Sequence, residues 1–284
     1  LIAKEKILTG LIGRGIGQSL SPVMHEREAD AQGIRLIYSS FDFAEMGLDE
    51  SDLPRMLDAL ELAGFAGVNV THPYKQAIIE HLDKLSNEAR AIGAVNTVAF
   101  SEGQRTGYNT DVTGFQAAFD RSLSDASLDA VVQIGAGGGG SATAFALMHL
   151  GVSRLVIHDS DRARAQALAG RIAEQFGADR IEQCEDLASA LAACNGLVNA
   201  SPMGMAEYPG MAVPEETLRR GMWVAEIVYF PLETELLRTA KAAGCRVMDG
   251  SGMAVSQAVG AFEIFTGSRA DTERMLAVFR EHTT

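Results

Sequence analysis

Short apolar runs alternate with stretches of helical periodicity along this chain, and their order predicts two successive α/β halves. Ile7 to Gly13 reads as a strand. Ser21-Pro22 then supplies an N-cap and a proline at the first helical position, for a helix closing near Gly33. Leu36 to Phe43 alternates as a second strand, and Leu53, Met56, Leu57 and Leu60 share one face of a helix over Ser51 to Ala63. Gly67 to Val70 is a third strand, Lys75 to Leu85 and Asn87 to Ile92 have the pattern of short helices, and Ala94 to Phe100 is a further strand. Gly107-Tyr108-Asn109-Thr110 reads as a turn. This βαβαβ order predicts an open, mostly parallel sheet with its crevice beyond the strand C-termini.

After a helix over Asp111 to Leu123 the alternation restarts. Strands are predicted at Ala130 to Gly135, Arg154 to His158, Arg180 to Gln183, Gly196 to Ala200, Met222 to Ile227 and Cys245 to Met248. Helices are predicted at Gly138 to Leu150, Asp161 to Phe176, Glu185 to Ala193 and Thr234 to Ala243. That order is a doubly wound nucleotide domain. The last two helices, Met253 to Thr266 and Asp271 to Glu281, have no further strand to cross to, and are expected to return to the first domain and span the cleft. The expected division is residues 1–110 for substrate, 111–249 for a dinucleotide, and 250–284 for the returning helices.

Composition narrows the partners. A chain of 284 residues that is 47% hydrophobic can bury a core in each half. Its 24 basic and 37 acidic residues give a formal charge of -13, which disfavours nucleic acid and anionic membrane surfaces. No apolar run approaches the roughly 20 residues that span a bilayer, and Leu1-Ile2-Ala3-Lys4-Glu5-Lys6 lacks the apolar core of a secretory signal, so a cytoplasmic protein is expected. Cys184, Cys194 and Cys245 form no Cys-x-x-Cys pair, and the six histidines show no His-x-x-x-His spacing. No metal is expected.

Gly135-Ala136-Gly137-Gly138-Gly139-Gly140 follows the strand Val131-Val132-Gln133-Ile134 and opens an alanine-rich helix, the sequence form of a pyrophosphate site. Gly135 permits the tight turn, Gly137 lets backbone approach the pyrophosphate, and Gly140 allows the helix to pack closely on the strand. The next strand ends in His158-Asp159, where a carboxylate can accept from ribose hydroxyls and repel a 2′-phosphate, so NAD is preferred to NADP. Helix capping is the alternative for either Asp159 or Asp161; Asp159 is assigned to the ribose and Asp161 to the cap. Arg162 and Arg164 lie near enough to leave a 2′-phosphate site open. In Gly67-Val68-Asn69-Val70-Thr71-His72-Pro73-Tyr74-Lys75, the lysine is either a solvated charge or an ammonium held in a cleft for acid-base work, and Asp111 is either a helix cap or its partner.

These motifs resemble the shikimate/quinate dehydrogenase family along almost the whole chain. The matching segments are Ser19-Leu20-Ser21-Pro22-Val23-Met24-His25, Asn69 to Lys75, Ile92-Gly93-Ala94-Val95-Asn96-Thr97, Asn109-Thr110-Asp111-Val112-Thr113-Gly114, Gly135 to Gly140, Asn199-Ala200-Ser201-Pro202-Met203-Gly204, and Asp249-Gly250-Ser251-Gly252-Met253 leading to Gln257. The resemblance implies a substrate domain joined to a Rossmann-type domain, and reversible hydride transfer between C3 of a hydroxylated cyclohexene carboxylate and a nicotinamide. It implies that Ser19 and Ser21 hold the substrate carboxylate with Tyr229, that Thr71, Lys75, Asn96, Asp111 and Gln257 hold ring hydroxyls, and that Lys75 and Asp111 form the catalytic pair. It further implies dinucleotide contacts from Ala136, Gly138, Gly139, Arg162, Ser201, Val228, Gly250 and Met253. A homodimer is left open.

Many NADP-using members are similar in carrying Gly-x-Pro-Ile-x-His-Ser at the first turn and Asn-Arg-Thr after the second nucleotide strand. Here those places hold Gly15-Ile16-Gly17-Gln18-Ser19 and His158-Asp159-Ser160. The chain resembles the NAD-using quinate/shikimate branch more closely, although a threonine often found at the second clamp hydroxyl is Ser21. Shikimate is therefore the expected substrate. Quinate, aminoshikimate, and a non-catalytic shikimate/NAD sensor are the alternatives.

Overall fold

The computed structural model describes residues 6–184 and 186–283. Leu1 to Glu5, most of the segment weighed above as a signal, and Glu185, the expected start of one helix, lie outside the described residues. The chain forms two compact units, one containing the chain up to Thr110 and from Val255 onward, the other Asp111–Ala254.

In the first unit, β1 (Lys6–Gly13), α1 (Ser21–Ala31), β2 (Arg35–Asp42), α2 (Leu53–Leu62), β3 (Gly67–Val70), β4 (Lys84–Leu85), α3 (Asn87–Ile92), β5 (Thr97–Ser101) and β6 (Gln104–Tyr108) follow in sequence. The sheet order is β2-β1-β3-β5-β6-β4. β1 runs parallel to β2 and β3, and β4 parallel to β6, while β5 is antiparallel to both its neighbours. Ile12, Phe43, Leu53, Leu57, Val68 and Val70 fill the core against one face of this sheet.

Three local expectations are corrected here. The turn ending in Thr110 is preceded by a strand: β6 pairs with β5 from Ser101↔Gln104 to Thr97↔Tyr108. Glu102 and Gly103 turn the hairpin with φ of 53° and 70°, the backbone a two-residue type I′ loop needs. The segment 75–85 is not one helix but a short 3-10 turn, Ala77–His81, followed by β4, because Lys84 and Leu85 pair with Thr106 and Gly107. Ser21 is the first helical residue of α1 rather than its cap; Leu20 occupies the cap and no side chain bonds there.

α1 buries two polar side chains. Glu28 is fully buried, with Oε2 3.0 Å from the Arg274 guanidinium and Oε1 accepting from the Asp271 amide and the Gln32 side chain. His25 lies among Tyr38, Phe262 and Phe265, its Nδ1 2.8 Å from the Ser21 carbonyl. That carbonyl can only accept, so Nδ1 carries the proton and Nε2, which meets no partner, is bare. Burial pushes the imidazole down from 6.5 to about 4, with the Ser21 bond pulling the other way. Between those values the unfolded chain binds a proton that the folded chain refuses. Stability contributed above pH 6.5 is therefore lost as pH falls through this window, by on the order of 3 kcal/mol. His25→Gln should lose less stability than the parent between neutral pH and pH 4 in urea unfolding; equal losses would remove His25 from the acid response.

The second unit contains α4 (Asp111–Leu123), β7 (Ala130–Ile134), α5 (Gly138–Leu150), β8 (Arg154–His158), α6 (Arg162–Phe176), β9 (Ile181–Gln183), α7 (Leu187–Ala193), β10 (Gly196–Asn199), β11 (Trp223–Glu226), α8 (Glu235–Ala242) and β12 (Arg246–Met248). All five strand pairings are parallel, in the order β12-β11-β10-β7-β8-β9. The chain reverses its direction of winding between β7 and β10, where doubly wound folds bind ligands. Side chains of Asp161, Asp186 and Thr234 cap α6, α7 and α8. The remaining helices are α9 (Ser251–Thr266) and α10 (Thr272–Glu281), whose cap is Asp271. The second boundary between units falls within α9, after Ala254, rather than at 249/250, because one continuous helix carries the chain across it.

Candidate active site

In the first unit, strand direction decides which residues meet. The C-terminal ends of β1, β3 and β6 lie along one edge of the sheet, and the antiparallel β5 brings its N-terminal end to that same edge. Ser19, Ser21, Thr71, Lys75, Asn96 and Thr110 all follow or precede those ends. Backbone bonds pin the segments together: Arg14 N to His72 O at 3.1 Å, Val70 N to Asn96 O at 2.8 Å, Val95 N to Lys75 O at 2.7 Å, and Asn96 N to Tyr108 O at 3.0 Å.

The hydroxyls of Ser19 and Ser21 lie 3.2 Å apart, both half-buried, and the Ser21 amide donates to the Ser19 Oγ. Their turn is built by Asp42, whose carboxylate accepts from the amides of Gly15, Ile16 and Ala44. Desolvation raises the Asp42 pKa, but these backbone donors outweigh it and hold it below the ordinary carboxylate value. Such a pair of hydroxyls donates two hydrogen bonds to a carboxylate without adding charge.

Asn96 is buried and fully engaged. Its Oδ1 accepts from the Thr97 hydroxyl and the Thr110 amide; its Nδ2 donates to the Thr110 hydroxyl at 2.9 Å and to the Gln257 Oε1 at 3.2 Å. The Thr110 hydroxyl donates in turn to the Gln257 backbone carbonyl at 3.0 Å. Asn96 and Gln257, 161 positions apart in sequence, are thus in direct contact, as the notion of one polar shell requires. Lys75 is half-buried in the turn after β3, beside Thr71, whose carbonyl accepts from the Tyr74 amide.

In the second unit, Asp111 opens α4 and is 1% exposed. Tyr229, half-buried in the turn after β11, has its phenol pushed up from its ordinary value by desolvation and then by the negative charge of Asp111. That dependence places the two groups within electrostatic reach.

Two positions of the glycine run admit only glycine. Gly135 has φ of 104°, and a Cβ there would stand 2.5 Å from the Ala200 carbonyl oxygen; at Gly140 it would stand 2.3 Å from the Gly135 oxygen. At Gly137 a Cβ would meet nothing within 4 Å, so that face of the loop is open. Gln133, fully buried, donates to the carbonyls of Gly135 and Gly140 and fixes the loop from beneath. No side chain caps α5, which leaves its first-turn amides to a ligand. These features fit a dinucleotide pyrophosphate.

Asp159 directly follows β8, with its Oδ2 2.7 Å from the Ala136 amide and its Oδ1 2.8 Å from the Asp161 amide. It therefore braces the glycine loop, a role the sequence reading did not give it. It also lines a cleft of about 410 Å³ together with His158, Ser160, Arg162, Cys184 and Asp186. Asp161 caps α6, as assigned, and its carboxylate is 3.3 Å from Arg164. Ser201 bonds Asn199 after β10, while a Cβ on Gly250 would stand 2.6 Å from the Val228 carbonyl oxygen. Met253 is buried in the first turn of α9.

Comparison with known proteins follows this geometry closely. Residues 11–98 match the shikimate dehydrogenase substrate binding domain and residues 250–278 the shikimate 5'-dehydrogenase C-terminal domain. Shikimate dehydrogenase (NADP(+)) of Streptomyces avermitilis is 50% identical over 99% of this chain and 97% of its own length. The chain belongs to the shikimate dehydrogenase family. Within that family, quinate/shikimate dehydrogenase (NAD(+)) of Corynebacterium efficiens is 46% identical over 97% of this chain and 98% of its own. The solved structure of quinate dehydrogenase from Corynebacterium glutamicum in complex with NAD is 45% identical, with a TM-score of 0.89 over 97% of this chain and 99% of that one. The two-domain α/β architecture of the family is the fold described above.

Several participants were not singled out from sequence: Thr110 in the polar shell, Asn69, whose Nδ2 donates to the Asn96 carbonyl and the Thr97 hydroxyl, Asp42 under the serine turn, and Gln133 under the glycine loop. Gln133 carried a usable signal, being the single polar residue in an apolar strand. Asp42 carried none, since the turn it supports follows a different strand.

Proposed function

We propose that this protein is an NAD-dependent oxidoreductase that interconverts shikimate and 3-dehydroshikimate at C3. The observation that carries the cofactor choice is Asp159, a carboxylate at the end of β8 that is bonded to the glycine loop and faces the adjoining cleft. There it accepts from ribose hydroxyls and repels a 2′-phosphate. The relatives divide on this point, since the Streptomyces protein is named for NADP(+) and the Corynebacterium proteins for NAD.

Ser19 and Ser21 donate to the substrate carboxylate, with the Tyr229 hydroxyl assisting. Thr71, Asn96 and Gln257 take the ring hydroxyls, with the Asn96 side chain ordered by its bonds to Thr110 and the Gln257 side chain by its bond to Asn96. Lys75 accepts the proton of the C3 hydroxyl as the carbon gives up hydride, and returns it in reduction. Asp111 orients both the Lys75 amine, which becomes the ammonium on taking that proton, and the hydroxyl. The bound nicotinamide supplies the hydride acceptor. Gly135 to Gly140, Arg162, Ser201, Val228, Gly250 and Met253 bind the dinucleotide.

Quinate is the second reading, favoured by the names of the Corynebacterium relatives. Initial rates of NADH formation with shikimate, quinate and aminoshikimate separate the readings. Shikimate is expected to give the highest kcat/KM; a clear excess for quinate would reassign the substrate. Ser21→Thr adds one methyl beside the clamp and should change the shikimate-to-quinate kcat/KM ratio by about tenfold, the usual worth of one carbon in a fitted pocket. An unchanged ratio would dismiss the second clamp hydroxyl as a selector.

A further inference from the structure

A densely bonded carboxylate in the second unit belongs to a residue outside every role assigned so far. Glu226 ends β11 and is 0% exposed. Its Oε1 accepts from the Val228 amide at 3.0 Å and from Asn199 Nδ2 at 2.9 Å; its Oε2 accepts from Asn199 Nδ2 at 3.0 Å and from the Thr234 hydroxyl at 3.2 Å. The donors come from two pieces of chain: Asn199 at the turn after β10, and Val228 and Thr234 at opposite ends of the turn after β11. Asn199 ends β10, and its Nδ2 also donates to the Met203 carbonyl while its Oδ1 accepts from the Ser201 amide and hydroxyl. Val228 begins the turn that carries Tyr229. Thr234 ends that turn and caps α8 by accepting from the Leu237 amide.

We propose that Glu226 is a positioning residue that locks the turn after β10 and the turn after β11 into one arrangement competent for dinucleotide binding. This rests on the function proposed above, in which Ser201 and Val228 contact the dinucleotide. Both turns leave the C-terminal ends of adjacent parallel strands beside the switch point, so their relative placement shapes the site directly. Packing alone gives no reason for an acid here, because an apolar side chain would fill the space without the cost of desolvation. Burial pushes the carboxyl up to about 7, and the donors from Asn199, Val228 and Thr234 pull against that rise. The site is built around an acceptor of several hydrogen bonds. Gly204 shows how close the fit is: it has φ of 102°, and a Cβ there would come within 3.2 Å of Thr234 Cγ2.

The test compares the parent with Glu226→Gln, Thr234→Val and Thr234→Ser. Glutamine keeps the shape but turns a donor toward a donor, and valine keeps the volume of Thr234 while removing its hydroxyl. The readouts are the Kd for NADH, from its fluorescence, and amide hydrogen exchange of the unliganded protein across residues 200–204 and 227–234. Glu226→Gln should raise the Kd about tenfold or more, the effect of leaving a buried donor unmatched, and speed exchange in both turns while β10 and β11 stay protected. Thr234→Val should move both readouts the same way by less, and Thr234→Ser should restore them. A folded Glu226→Gln protein with parental Kd and exchange overturns the proposal. Should that variant not fold, Thr234→Val decides by the same criterion. If NADH fails to bind the parent, the dinucleotide reading is what fails, and the exchange comparison still decides whether Glu226 couples the turns.

Discussion

Replacing Lys75 by alanine is expected to lower kcat by on the order of 10²-fold or more, the usual loss when a positioned acid-base group is removed. The hydroxyl proton must leave as hydride departs from the same carbon, and without an acceptor the oxygen would develop positive charge. Lys75 stands in the turn after β3, held through its carbonyl by the Val95 amide. The backbone of this turn is thus fixed independently of the side chain, and truncation should leave the turn in place. Asn96 and Gln257 bond each other and Thr110 without Lys75. Substrate binding should accordingly weaken less than turnover, giving a KM within several-fold of the parent. Asp111→Asn should resemble Lys75→Ala in kcat. Parental turnover in Lys75→Ala would take the lysine out of the chemistry and leave the serine clamp and polar shell as binding groups only.

Asp159→Ser carries the second large effect, because one carboxylate performs two tasks. It braces the Ala136 amide of the glycine loop, and by its charge it discriminates against a 2′-phosphate. Serine is too short to span the Ala136 and Asp161 amides together. The variant should lose about tenfold or more in kcat/KM for NAD+ while losing less, or gaining, for NADP+. Asp159→Asn separates the tasks, since the amide oxygen can still accept from Ala136 while the charge is gone. It should relax the exclusion of NADP+ with a smaller loss on NAD+. An unaltered preference in both variants would mean that Asp159 serves the loop alone.

Most elements of the second unit were legible because their signals are local. Its strands are apolar and bounded by Gly, Asp or Asn, and its helices start at caps such as Asp161 and Thr234 that sequence marks plainly. The misread elements all lie in the first unit, where long-range pairing overrides local pattern. Gln104-Arg105-Thr106-Gly107-Tyr108 has too little apolar alternation to announce a strand, and its identity comes from the ladder with β5. Lys84 and Leu85 are a strand only because β6 lies beside them.

That missed strand matters for the site. Ser19, Thr71, Lys75 and Asn96 were grouped from motifs, but it is the direction reversal at β5 that sets Asn96 at the edge where β1, β3 and β6 end. The residues that support the site were less visible than those that form it. Asp42, Gln133 and Glu226 act through backbone amides and neighbouring side chains, and no spacing rule reveals such bonds before the chain is folded. Asp159 was placed correctly at the end of β8, yet its bond to Ala136 depends on how closely β7 and β8 run.

The most direct test of the proposed reaction is kcat/KM for shikimate oxidation by the purified parent protein with saturating NAD+ and, separately, NADP+. The account predicts turnover with both or with NAD+ alone, and an advantage for NAD+ of at least about tenfold, equivalent to about 1.4 kcal/mol. Equal or better turnover with NADP+ would contradict the role given to Asp159, and no turnover with either would contradict the proposed reaction itself.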